Sequence, residues 1–140
     1  MLSVICICIV DRDNQPLVCR ISDIEEKESL QFAVYSSLDL IDRKLSSDLN
    51  SNEAYIGYLG PAISIKYEYE IYGYSSFSHI KVIAILQDHP EDEDELKKLL
   101  NEIYNTYVDT LCNPFLLHTV ETPKLLQRID DLIYQAKTSN

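Results

Sequence analysis

The chain has 140 residues, 46% of them hydrophobic and 25% charged, which is the balance of an ordinary soluble globular protein built as one domain over 1–140. Its formal net charge of -11 argues against nucleic acid as a partner and against docking on anionic lipid through a polybasic face. Neutral or basic protein surfaces remain open to it.

The opening "MLSVICICIVDRDN" has no basic region before its apolar run, and the run is too short to span a bilayer, so it reads as a strand and not as a targeting or transmembrane segment. Val4, Cys6, Cys8 and Val10 alternate with Ile5, Ile7 and Ile9, and both sets are apolar, so this strand should be covered on both faces. "DRDN" is turn chemistry, and "QPLVCRI" reads as a second strand paired antiparallel with the first, Pro16 favouring an edge or a strand start. From about Glu28 the period changes. Val34, Leu38, Ile41, Leu45 and Leu49 mark one face of a helix of roughly twenty residues.

"EAYIGYL" is a short strand expected to end in a turn through Gly60 and Pro61. "IKYEYEIYGYS" sets Tyr67, Tyr69 and Ile71 against Glu68 and Glu70, which predicts one wetter face, and "HIKVIAIL" is an apolar strand reached through a turn at 75–78. A second helix follows "QDHPEDEDE", with Pro90 at its start and the acidic run where the helix dipole favours negative charge. Its stripe is Leu96, Leu99, Leu100, Ile103, Tyr107 and Leu111, and Pro114 should end it. "TPKLLQRIDDLIYQAK" opens on a Thr-Pro cap signal and buries Leu125, Ile129, Leu132 and Ile133. The order is β-β-α-β-β-β-α-α, an α+β chain whose five-stranded antiparallel sheet carries one helix on one face and two on the other.

Little in this chain points to chemistry. Cys112 falls at a helix C-terminus with Asp109 one turn back, where the dipole disfavours a thiolate, and the candidate bases His79, His89 and His118 fall in turns or loops. Cys6 and Cys8 share a strand face and Cys19 could lie across the hairpin, but the spacing is not that of a structural zinc site, so no metal is expected. The widely spaced Gly57, Gly60 and Gly73 make no phosphate cradle, and the acidic run lacks the glycine and ligand spacing of a calcium loop. No catalytic residue and no cofactor are expected. With no secretory signal, the four cysteines read as reduced, packed thiols in the cytosol.

Contact chemistry is more evident. Six of the ten tyrosines lie between Tyr55 and Tyr74, Tyr72 and Tyr74 among them; they suit a protein interface and equally a half-buried sheet. In "YSSLDLIDRK", Asp39 and Asp42 fall on the flank and outer side of the first helix with Tyr35 one turn before Asp39. They are either solubilising or an acidic docking patch.

Three stretches together, "SSLDLIDRKL", "AYIGYLGP…YEIYGYSSFSHIKVIAIL" and "LLNEIYNTYVDTLCNPF", resemble the sedlin-like small subunits of the TRAPP vesicle-tethering complex over nearly the whole chain. The resemblance implies the longin (profilin-like) fold, with the element order reached independently above. It implies a cytoplasmic, non-catalytic subunit, peripheral at ER and Golgi membranes. Its partners would be other TRAPP subunits and, indirectly, a Rab-type GTPase activated by nucleotide exchange. A longin-type coat-adaptor subunit or SNARE-regulatory domain is the alternative. In the family reading Asp39, Asp42, Tyr35, Tyr72 and Tyr74 are interface residues, and Cys112, Asn113, Pro114 and Phe115 form a helix stop.

Overall fold

A strand that is apolar on both sides and helices with single apolar stripes require a sheet sandwiched between helices, and the computed structural model has that architecture. It describes residues 2–21, 27–47, 55–63, 68–76, 79–111 and 123–138. The elements are β1 (Val4–Val10), β2 (Pro16–Ile21), α1 (Lys27–Ser47), β3 (Tyr55–Ile63), β4 (Glu68–Ser75), β5 (Lys81–Leu86), α2 (Glu93–Leu111) and α3 (Pro123–Thr138). The strands form one sheet in the order β2-β1-β5-β4-β3, and every neighbouring pair is antiparallel. This is the expected α+β, longin-like arrangement.

Each face of the sheet closes its own core. On one, Cys6, Cys8, Val10, Ile71, Ile83 and Ile85 pack against Leu30, Ala33, Val34, Leu38 and Ile41 of α1. On the other, Ile7, Ile9, Tyr72, Tyr74, Val82 and Ala84 meet Leu96, Leu100, Ile103 and Tyr107 of α2 and Leu125 and Ile129 of α3. β5, central in the sheet, has all six residues buried. Leu132 and Ile133 are only partly buried at the margin of the second core. The Leu45 side chain and Leu49 lie outside the described residues.

The β1–β2 turn is held by Asp11, whose Oδ1 accepts the backbone N–H of Asp13 at 2.9 Å and of Gln15 at 2.8 Å. Asn14 completes it at φ 63°, a conformation asparagine tolerates better than most residues.

Local features depart from simple alternation. A register shift between Val4 and Cys6 inserts a bulge in β1, so Val4 joins the α2–α3 core while Ile5 packs beside the α1 core. Strict alternation had placed Val4 with Cys6. The expected turn at Gly60 and Pro61 is instead part of β3. The strand stays paired through Pro61 opposite Glu70, with register shifts at Tyr55/Gly57 and Tyr58/Gly60, the two glycines taking φ 95° and 149°. β3 is an edge strand, where a proline lacking an N–H is tolerated. α2 starts at Glu93, not Pro90: the Asp92 side chain caps it, Oδ1 accepting the Asp94 N–H at 2.9 Å. The expected wet face of β4 dries along its length, from exposed Glu68 through half-buried Glu70 to buried Tyr72 and Tyr74 beneath α2.

Candidate functional site

α1 turns its buried stripe to the sheet, and its opposite side collects large groups that the core does not use. Phe32 is 74% exposed, Tyr35 54% and Leu40 37%. Asp39 is exposed among them. Residues three and four apart on a helix are surface neighbours, so Phe32, Tyr35 and Asp39 form one strip crossing two turns. Rings left in water beside an exposed carboxylate, on a helix whose other face packs against the sheet, make a surface suited to protein contact. Phe32 escaped the sequence reading; its signal was a large aromatic residue lying off the apolar stripe.

Asp42 has a different role. Lys81, only 4% exposed at the start of β5, donates from Nζ to Asp42 Oδ1 at 2.8 Å and to Asn14 Oδ1 at 2.6 Å. One buried ammonium therefore braces α1, the β1–β2 turn and β5 together. A buried charge needs such partners, and the half-exposed Asp42 carboxylate serves the fold at that oxygen.

The structure does not bring Tyr72 and Tyr74 to the surface. They are 2% and 7% exposed, so their rings serve the interior instead of a partner. The Tyr72 hydroxyl bonds His89 Nδ1 at 2.8 Å, and that of Tyr74 donates to Asn101 Oδ1 at 3.2 Å. Buried tyrosines need such hydroxyl partners. The intervening Gly73 faces α1, where an added Cβ would meet Leu59 Cδ1 at 3.0 Å and Ile41 Cδ1 at 3.5 Å. The "YGY" run therefore alternates two rings under α2 with a minimal residue under α1.

Tyr58 of β3 reaches water from this sheet and is 38% exposed. Its ring lies 5.5 Å from Tyr72 and 5.1 Å from His89 between centroids. His89 Nε2 lies 3.3 Å from Glu70 Oε1. The hydrogen bond to Glu70, with burial, pushes the Tyr58 phenol up to about 12, and burial with nearby Glu93 and Glu70 does the same for Tyr72. Phenols held protonated in this way are poor bases. Cys6 and Cys8 lie in the opposite core from Tyr72, so this histidine is not paired with a sheet cysteine. Among the described residues no group of three or more His, Cys, Asp or Glu side chains is arranged to hold a metal. No described helix is long and apolar enough to cross a membrane. Cys112, Asn113, Pro114, Phe115 and His118 lie outside the described residues.

A second tie escaped the sequence reading as well. Arg20 of β2 forks onto Asp130 of α3, Nε donating to Oδ1 at 2.9 Å and Nη2 to Oδ2. It fastens the last helix to the sheet edge.

The five-stranded antiparallel sheet, with one helix on one face and two on the other, defines the class as a longin-like α+β domain. The family model described as Sedlin matches residues 9–135. The chain is 31% identical over 142 aligned positions to the trafficking protein particle complex subunit 2-like protein of Dictyostelium discoideum, covering 95% of this chain and 98% of that one. Similar proteins of the same name in Xenopus tropicalis and Rattus norvegicus are 27% and 28% identical, each over 79% of this chain and 81% of the relative. The chain belongs to the sedlin family.

Proposed function

We propose that this protein is a non-catalytic subunit of a TRAPP-type complex that tethers transport vesicles between ER and Golgi membranes. It acts in the cytoplasm, peripheral to those membranes, by contacting neighbouring subunits, and so supports an assembly that activates a Rab-type GTPase by nucleotide exchange. The observation that carries the reading is the α1 strip of Phe32, Tyr35 and Asp39, exposed on a helix whose inner face is fully occupied by the sheet. Likeness to trafficking protein particle complex subunit 2-like proteins supports the identity of the partners. Asp42 contributes through the brace on Lys81, and Tyr72 and Tyr74 by holding the sheet beneath α2.

Affinity purification of the tagged chain from its own cells, with identification of the chains that accompany it, tests this. Recovery of other tethering-complex subunits in fixed ratio supports the reading. Recovery of coat-adaptor chains in their place would overturn it in favour of the coat-adaptor alternative.

A further inference from the structure

Three thiols converge on the α1 face of the sheet. Cys8 and Cys19 are direct cross-strand partners in the β1–β2 ladder, and Cys6 lies one pair further along the same face. The thiols of both Cys6 and Cys8 are within hydrogen-bonding reach of Cys19. All three are free; Cys6 and Cys8 are buried, while Cys19, on the edge strand, is partly exposed. A cleft of about 220 Å³ between β2 and α1 is lined by both Cys8 and Cys19, with Val10, Pro16, Val34 and Tyr35 around them. Directly opposite residues of an antiparallel pair have Cα atoms about 4.5–5.5 Å apart, within the span a disulfide bridges.

The three sulfurs are not equivalent. Hydrogen bonding to Cys19 and burial keep Cys6 and Cys8 protonated. The same hydrogen bonds from Cys6 and Cys8 favour the thiolate of Cys19, as does the positive charge of Lys27 at the start of α1, while burial opposes it. A partly exposed thiol in the field of a cation, with a second thiol directly opposite it on the paired strand, is the arrangement of a peroxide-sensitive cysteine and its resolving partner.

We propose that Cys19 is an oxidant-sensitive site that hydrogen peroxide converts to a Cys8–Cys19 disulfide. The Cys19 thiolate attacks a peroxide oxygen, the O–O bond breaks, and the departing hydroxide leaves as water with the proton that Cys19 gave up. The Cys8 sulfur then attacks the Cys19 sulfenic acid. An S–S bond forms, the S–O bond breaks, and the hydroxyl leaves as a second water with the Cys8 proton. The two thiols together lose two electrons to the peroxide. Cellular thiols reverse the bond by exchange.

Two measurements on the reduced, native chain test this. Limiting iodoacetamide labels Cys19 on the order of tenfold or more faster than Cys6 or Cys8. After peroxide treatment, a non-reducing peptide map joins the Cys8 and Cys19 peptides in a bond that dithiothreitol removes. Cys19→Ser abolishes this link and Cys6→Ala retains it. Labelling of Cys19 no faster than its neighbours overturns the proposal and requires no variant to fold. So does a map showing only oxygen adducts, or links made by Cys112 alone.

Discussion

Lys81 Nζ, buried at the start of β5, donates a 2.8 Å hydrogen bond to Oδ1 of Asp42 on α1, and this pair ties the first helix to the centre of the sheet. Asp42→Ala removes a partner of a buried ammonium and costs about 1–3 kcal/mol of stability. Lys81→Met costs less, because the carboxylate it leaves behind is half in water while the methionine fills the buried path. Urea midpoints of both single variants and the double variant measure the coupling.

Gly73→Val tests the close approach of α1 to β4. The smallest side chain already brings a Cβ within 3.0 Å of Leu59 Cδ1, so a branched one must displace Leu59 and Ile41. Overpacking of this kind costs about 1–3 kcal/mol, read as a lower denaturation midpoint. An unchanged midpoint would show that the two neighbours repack freely.

The phenols give a pH prediction with a definite sign. Tyr58 and Tyr72 are raised in the folded chain from 10.0 to about 12, so between those values the folded state holds protons that the unfolded state has released. Their stabilisation is complete below about pH 10 and is lost as pH rises through about 12. Absorbance titration at alkaline pH should show the native chain ionising tyrosines later than the urea-unfolded chain. Tyr72→Phe should remove part of that difference.

Asp130→Ala should loosen α3 only slightly. Both Arg20 and Asp130 are more than a third exposed, so solvent screens the pair and its loss costs about 1 kcal/mol or less, diminishing further in high salt. Hydrogen exchange at the backbone amides of α3 reads the effect locally.

The layers of this fold were legible because burial imposes periodicity. Val34, Leu38 and Ile41 repeat at helical spacing and all three face the sheet, and the doubly apolar "VICICIV" is the strand covered on both sides. Bulges were not legible. Nothing local in "VIC" announces the register shift that sends Val4 and Cys6 to opposite cores, and a Gly-Pro pair that usually marks a turn is absorbed here by an edge strand. The candidate site was legible in part. Tyr35 and Asp39 follow from helix phase, whereas the burial of Tyr72 and Tyr74 depends on which face α2 covers, a tertiary fact. The brace between Asp42 and Lys81 spans 39 residues, and the tie between Arg20 and Asp130 spans 110. No window of sequence contains either pair.

The most direct test of the α1 contact face is co-purification of Asp39→Tyr, set beside the unaltered chain at equal expression. Asp39 is exposed, so the variant should melt with an unchanged midpoint while its recovery of the accompanying subunits falls towards about a tenth, the limit set by a tenfold weaker Kd if a contact worth about 1.4 kcal/mol is removed. Full recovery of those subunits by a folded Asp39→Tyr chain would contradict the account.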